Sequence, residues 1–375
     1  MKVLITGADG FLGKNLQLHL AQRKDVQVVR FTRSDDAAAL ASLLQEVDFV
    51  FHLAGVNRPQ DPQEFTRGNL ELTQALCAAV GQVARSHRRS IPVVLASSIQ
   101  AGREHAYGKS KLGAEQALLA AAREGGVVAH IFRLPNVFGK WCRPNYNSAV
   151  ATFCHNIARG LPVQVNDPHA PVSLVYIDDV VARFVQLMDA ADPAPGLDGF
   201  ETIAPQYTST VGELVRQIQA FRESRATLVT ERVGTGLVRA LYATYVSYLP
   251  VESFAYAVQQ HSDPRGVFVE MLKTPDCGQF SFFTAHPGIT RGGHYHHTKT
   301  EKFLVITGQA RFRFRHMQTG ELHELVTEGG TAEIVETIPG WTHDITNVGT
   351  GEMVVMLWAN EIFDRERPDT FACPL

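Results

Sequence analysis

The stretch VLITGADGFLG, residues 3–13, constrains the fold of this chain more than any other. An apolar run, Val3 to Thr6, leads straight into Gly7, Gly10 and Gly13, and a helical pattern follows. In a GxxGxxG turn between strand and helix, the first glycine permits the tight turn. The second lets the backbone approach a pyrophosphate, and the third allows close helix packing. The free N–H groups of the helix N-terminus then face the phosphates. Asp9, Phe11 and Leu12 lie between these glycines and are expected to line the same cofactor. Further apolar runs at Val26–Phe31, Phe49–Leu53, Val93–Ala96 and Val127–Phe132 read as buried strands. Ala- and Leu-rich helical patterns at Leu70–Ser86 and Tyr107–Arg123 alternate with them. Such alternation predicts a parallel sheet covered on both faces.

The expected N-terminal fold is therefore α/β, a Rossmann-like doubly wound parallel sheet. Its pattern continues through SLVYIDDVVARFVQLM, residues 173–188, and a helix near Val211–Phe221. Beyond Leu237–Phe254 the runs are short, several alternate, and glycine-rich turns separate them, as in FSFFTA, KFLVITG, ARFRFRH and MVVMLWAN. That is the texture of an antiparallel barrel or sandwich. The expected domains are 1–245 and 246–375, a division that suits a chain of 375 residues. A net charge of -3 argues against a nucleic-acid partner. Five scattered cysteines without CxxC spacing suit a reducing compartment. No apolar run has the length of a signal peptide or membrane span, so no membrane is expected and the location is read as cytoplasmic.

Two further groups carry chemistry in the first part. Some twenty residues past the glycines, where a carboxylate would select NAD, the sequence TRSDD offers Arg33. A guanidinium there suits a 2′-phosphate, hence NADPH. AYGKSK places Tyr107 and Lys111 four apart on one helix face. A neighbouring ammonium is expected to lower the phenol pKa and so ease proton exchange with a carbonyl or hydroxyl. LASSIQA offers Ser97 and Ser98 as hydrogen-bond donors to the same oxygen.

In the second part, GGHYHHTKTE spaces His294, His296 and Glu301 as HxHx4E, and PGWTH adds His343. His294 and His296 share one side of a strand. Glu301, an odd five residues on, needs an irregularity to join them. Three imidazoles and a carboxylate suit a divalent metal, zinc foremost, with iron, nickel or manganese also possible. His297 breaks the alternation and is expected to face outward or to do chemistry.

TGxxGxxG, FHLAG, the serine pair, YxxxK, RLPNVFG and VYIDDV together resemble an extended short-chain dehydrogenase/reductase of the nucleotide-sugar-modifying branch, over roughly residues 1–240. The resemblance implies that Ser98, Tyr107 and Lys111 are catalytic. It also implies that Leu53, Ala54 and Gly55 line the cofactor, and that Asn136, Asn145, Tyr146 and Asn147 face a nucleotide-sugar. The link from the serines to the tyrosine is very short here, so the loop that usually shapes the sugar pocket is reduced. HxHx4E with PGWTH resembles the two cupin motifs and implies a jelly-roll barrel with the metal inside.

Over the whole chain the combination is similar to the CapF-type bifunctional enzymes of capsular polysaccharide and O-antigen synthesis. That resemblance implies a homodimer acting on a UDP-4-ketosugar. The cupin would epimerise C3, and the N-terminal domain would reduce C4 with NADPH. The base for epimerisation is open among Tyr295, His297 and Lys302. Two other readings fit the same residues: a cupin oxygenase or isomerase of another specificity, and a non-catalytic dimerisation or sensing cupin.

Overall fold

Val3, Leu4 and Ile5 retain no exposed surface, and the other apolar runs of the first half are buried in the same way. The computed structural model describes residues 1–375 except 191–196, 264–265, 270–271, 273–277 and 362–365, so Cys277 lies outside the described residues. The chain divides into two units. Met1–Val137 groups with Ser173–Thr208, and Phe138–Val172 groups with Ser209–Leu375.

In the first unit the elements are β1 (Lys2–Thr6), α1 (Phe11–Leu20), β2 (Gln27–Phe31), β3 (Phe49–His52), α2 (Leu72–His87), β4 (Ile91–Ser98), α3 (Ala106–Glu124), β5 (Val127–Leu134), α4 (Ile177–Met188) and β6 (Phe200–Glu201). The strands form one sheet in the order β2-β1-β3-β4-β5-β6, and every pair in it is parallel. This is the doubly wound sheet expected. Its order reverses between β1 and β3, where such sheets open a ligand crevice at the carboxyl ends of their strands. Leu76, Val80 and Val83 of α2 and Leu118 of α3 pack with Leu4, Val50 and Val93 of the sheet. Each of these buried side chains stabilises the unit by about 1.5–3 kcal/mol. Helix α3 is pinned at its start, where His105 Nδ1 accepts the Gly108 N–H at 3.0 Å. It ends at Gly125, whose φ of +90° few other residues adopt.

The second unit contains α5 (Val211–Thr227), opened by a capping box between Thr210 and Glu213, and α6 (Gly236–Val246). Helix Ala149–Ala158 packs on both. Then come β7 (Ala255–Ala257), β8 (Gln279–Ala285), β9 (Thr290–Tyr295), β10 (Glu301–Thr307), β11 (Gln309–His316), β12 (Leu322–Glu328), β13 (Glu333–Glu336), β14 (Trp341–Asn347), β15 (Met353–Ala359) and β16 (Phe371–Ala372). They form two five-stranded sheets, β7-β13-β10-β15-β8 and β12-β11-β14-β9-β16. The pairing is antiparallel, the jelly-roll arrangement of a cupin.

The division departs from the expected boundary at residue 245, because residues 138–172 and 209–245 group with the barrel. A buried charge cluster supplies the reason. Glu336 of β13 is 1% exposed and accepts hydrogen bonds from Arg225 of α5 (2.6 Å) and Tyr242 of α6 (2.8 Å). Lys302 of β10 lies 3.2 Å from the same carboxylate and donates to the Tyr256 hydroxyl at 2.7 Å. Burial would raise the Glu336 pKa, but Lys302 and Arg225 outweigh it and hold the carboxyl below its usual range. Glu336→Gln leaves Lys302 buried without its counter-charge, which costs about 3–5 kcal/mol. Thermal unfolding should show the second unit melting lower by on the order of 10 °C. An unchanged midpoint would mean the cluster does not hold helices to barrel.

Among the described residues, no helix is long and apolar enough to cross a membrane.

Candidate active sites

The crevice of the first unit is built by the turns that follow β1, β3 and β4. Gly7 has φ +67°, and a Cβ on Gly13 would lie 2.4 Å from the Gly7 carbonyl oxygen, so only glycine allows α1 this close to the turn. The Gly10 N–H donates to that same carbonyl at 2.9 Å. Phe11 and Leu12 are half-buried at the start of α1. Asp9 is exposed and ion-paired with Arg30. Leu53, Ala54 and Gly55 follow β3 and are tied to β1, because the Leu53 N–H donates to the Thr6 carbonyl (3.2 Å) and the Ala54 N–H to Thr6 Oγ1 (3.3 Å). These groups leave a glycine-lined space in front of a helix N-terminus, which fits a dinucleotide.

Arg33 is exposed on the turn after β2. The acids beside it are engaged in the turn. Asp35 accepts from the Thr32 N–H (2.7 Å) and Oγ1 (2.8 Å), and Asp36 caps the following helical turn through the Ala38 N–H (3.0 Å).

Ser98 ends β4 beside the Tyr107 phenol of α3, and its hydroxyl accepts the Gln100 N–H at 3.2 Å. One turn on, the Lys111 ammonium is buried. It donates to the Ala96 carbonyl at 3.0 Å and lies 6.0 Å from the Tyr107 ring centre. A Cβ on Gly55 would come within 3.2 Å of that Nζ, so the cofactor loop and the lysine share one space. The expectation of a lowered phenol pKa is not met. Burial raises it, Ser98 opposes this, and the ammonium is turned toward Ala96. A phenol held protonated is the state needed to give a proton to a carbonyl. Burial lowers Lys111 to about 8, against the opposing effect of Glu115.

Ser97 has a different partner from Ser98. Its hydroxyl donates to Glu115, which also receives Arg133 (Nη2 to Oε2, 2.6 Å). Glu115 stands four residues beyond Lys111 on the same face, a spacing legible in YGKSKLGAE but not read from the sequence. Asn69 was missed as well. It lies in a π-helical turn, Thr66–Glu71, accepts the Val56 N–H at 2.8 Å and donates to Ser110 Oγ at 2.9 Å, holding the loop after β3. If the Lys111 ammonium is required, reduction should decline as pH rises through about 8. Glu115 raises that value, so Glu115→Gln should move the alkaline limb of kcat/KM to lower pH. A limb that stays in place would exclude Lys111 as its source.

Asn136 is exposed in the first unit, and its side chain donates to the Ser173 carbonyl at 3.0 Å. Asn145, Tyr146 and Asn147 belong to the second unit, on the loop before helix Ala149–Ala158. Asn145 adopts φ +53° with its N–H on Thr152 Oγ1 (2.9 Å), and the Arg143 guanidinium lies 5.2 Å over the Tyr146 ring.

The barrel brings the four expected metal ligands together. Donor atoms of His294, His296, Glu301 and His343 all lie within 4.8 Å of one another. His294 on β9 pairs in register with His343 on β14, after a bulge at Gly292–His294. The strand ends at Tyr295, and residues 296–300 supply the irregularity that turns Glu301 toward the histidines. Burial lowers His294 to about 3, with His343 and His296 adding to the effect, and burial also lowers His343. Burial opposes ionisation of Glu301, but His296 and His343 more than offset it. Burial thus disfavours protonation of His294 and His343 while Glu301 stays ionised, as metal ligands require.

His296 Nδ1 lies 2.6 Å from the Asp369 carbonyl, which can only accept, so Nδ1 carries a proton. Its Nε2 then faces Glu301 Oε2 at 3.2 Å, an arrangement that calls for a cation or proton between them. The site fits a divalent metal.

His297 is buried, 4% exposed, with its ring against Tyr295 and Phe371, so it does not face outward. Lys302 is removed from the candidates for the base, because it sits on the opposite strand face to Glu301, in the Glu336 cluster.

The fold and these sites define a class first. Residues 3–197 match the NAD dependent epimerase/dehydratase family, and residues 261–371 match the polysaccharide biosynthesis C-terminal domain. The chain is 62% identical over 374 residues to the UDP-2-acetamido-2,6-beta-L-arabino-hexul-4-ose reductase of Pseudomonas aeruginosa, covering 100% of this chain and 98% of that protein. It also resembles the crystal structure of the capsular polysaccharide assembling protein CapF from Staphylococcus aureus, at 40% identity and TM-score 0.66 over 100% of both chains. UDP-glucuronic acid 4-epimerase from Bacillus cereus, 20% identical with TM-score 0.52 over 59% of this chain and 83% of that one, shares the fold. This chain belongs to the CapF-type family of reductase/epimerase enzymes.

Proposed function

We propose that this enzyme converts a UDP-2-acetamido-2,6-dideoxy-4-hexulose in two steps, C3 epimerisation in the barrel and C4 reduction in the first unit. The product is UDP-2-acetamido-2,6-dideoxy-L-talose, on the way to UDP-N-acetyl-L-fucosamine. The observation that supports this is a pair of residue clusters, Ser98 and Tyr107 with Lys111 in the first unit and His294, His296, Glu301 and His343, able to hold a metal, in the second. The name of the Pseudomonas relative, a hexul-4-ose reductase, supports the substrate class.

The C3 proton is acidified by the adjacent C4 ketone, and removal and return from opposite faces invert the carbon. A divalent metal, zinc by preference, held by His294, His296, Glu301 and His343 would supply Lewis-acid stabilisation of charge on the ketone oxygen. Tyr295 and His297 remain candidates for moving the proton. In the first unit, NADPH held by Gly7, Asp9, Gly10, Phe11, Leu12, Gly13, Leu53, Ala54 and Gly55 would supply the hydride, with Arg33 on its 2′-phosphate. Tyr107 gives its proton to the C4 oxygen, Ser98 stands beside the phenol, and Lys111 places a positive charge at the same space. Asn136, Asn145, Tyr146 and Asn147 contact the nucleotide-sugar. Reduction removes the ketone and traps the epimer. A homodimer, as the family resemblance implies, and a cytoplasmic location, as the sequence reading has it, complete this proposal.

The test is incubation of the UDP-4-ketosugar in deuterated water, with and without chelator, using NADPH and NADH in parallel. Deuterium should enter C3 without cofactor, chelation should stop that exchange, and NADPH should be preferred. No washed-in deuterium would remove the epimerase assignment, and equal use of the two coenzymes would remove the role of Arg33.

A further inference from the structure

The loop 296–299, which carries one ligand and leads to another, is held by a residue far away in the chain. Asp369 Oδ1 accepts the His297 N–H at 2.9 Å, and Oδ2 accepts the N–H groups of Thr298 (2.9 Å) and Lys299 (2.8 Å). The Thr298 hydroxyl donates to the same oxygen at 3.0 Å. The main-chain carbonyl of Asp369 takes the His296 Nδ1 proton at 2.6 Å. Its backbone has φ +37°, a region costly for a residue with a side chain though less so for aspartate. The segment after it is fastened to the ligand strand. Ala372 pairs with His294, the Cys373 N–H donates to the Gly293 carbonyl (2.7 Å), and Lys299 Nζ donates to Thr370 Oγ1 (2.9 Å).

We propose that Asp369 is the positioning residue of the metal site. Its carboxylate caps three successive N–H groups of the loop. That cap fixes the path from His296 to Glu301. Its carbonyl holds the Nδ1–H tautomer of His296, which aims the Nε2 lone pair at the ligand cluster. The strained φ is tolerated because carboxylate and carbonyl are both engaged at once. Glutamate at this position would carry its carboxyl too far for the three N–H groups.

This role rests on the metal reading of the barrel. Full-length wild type, Asp369→Asn, Asp369→Ala and Asp369→Gly are stripped, then titrated with zinc against a chromophoric chelator and, separately, with cobalt(II) for its visible spectrum. Outer partners of a metal-bound histidine typically matter by 10–100-fold in affinity. Zinc affinity should fall by about that factor in Asp369→Ala and Asp369→Gly, and less in Asp369→Asn, which keeps one acceptor oxygen. The cobalt(II) bands should shift in position and intensity. Glycine relieves the φ strain, so loss in that variant isolates the carboxylate. NADPH binding by the first unit and circular dichroism establish that each variant is folded. Wild-type affinity and an unaltered cobalt(II) spectrum in folded Asp369→Gly would overturn the positioning role. Failure of wild type itself to bind zinc or cobalt(II) would overturn the metal reading instead.

Discussion

Tyr107→Phe is expected to lower the rate of NADPH-dependent ketone reduction by about 10²–10⁴-fold while leaving deuterium exchange at C3 unchanged. The substitution removes one oxygen and keeps the ring, which is half-buried between Phe65 and His105. Folding is therefore little disturbed. What is lost is the acid. Burial keeps the phenol protonated through the neutral range, against the opposing effect of Ser98. Without it the developing alkoxide at C4 has the Ser98 hydroxyl and the Lys111 charge, and a serine hydroxyl cannot deliver a proton without becoming a strong base. Single-turnover oxidation of NADPH at 340 nm measures the reduction, and NMR of the ketosugar in deuterated water measures the exchange. Reduction at the wild-type rate would remove Tyr107 from the mechanism. Parallel loss of exchange would show that the two centres are not separate.

Much of this was legible because it is local. The glycine turn, YxxxK and HxHx4E each concern residues on one turn, one helix face or one strand end, where spacing brings the residues near one another. His343 was legible through PGWTH, a second local pattern. Glu115 could have been read in the same way, as the third residue of a 107–111–115 stripe, but a buried carboxylate looks like any surface acid in a sequence. Asp369 could not, because the loop it caps is some seventy positions away in the chain and no periodicity connects them. The same is true of the domain division. Arg225 and Glu336 are 111 residues apart, and their ion pair is part of what assigns α5 to the barrel. The raised phenol pKa was missed for another reason. A lysine four residues away predicts a lowered value only if its ammonium turns toward the phenol, and here it turns to the Ala96 carbonyl.

His343→Ala should weaken metal binding in the barrel and slow epimerisation while sparing reduction. His343 is 4% exposed on β14, its ring centre 4.8 Å from His294 and 5.2 Å from His296, and its Nε2 lies 3.5 Å from Glu301 Oε2. Removing it leaves two imidazoles and a carboxylate, one ligand short of the four-residue set, so the metal is held more weakly and in altered geometry. Lewis-acid stabilisation of a developing oxyanion contributes several kcal/mol. Each 1.36 kcal/mol is tenfold, so C3 exchange should fall by at least about 10²-fold. Metal affinity, measured by chelator competition, should fall in the same sample. Reduction of an already epimerised ketosugar should proceed at the wild-type rate, because Ser98, Tyr107 and Lys111 belong to the other unit. His343→Gln fills nearly the same volume and separates loss of the ligand from loss of packing against Phe303 and Phe314. If both variants keep wild-type overall turnover, the barrel is a non-catalytic module, and the four ligands serve assembly or sensing rather than the inversion of C3.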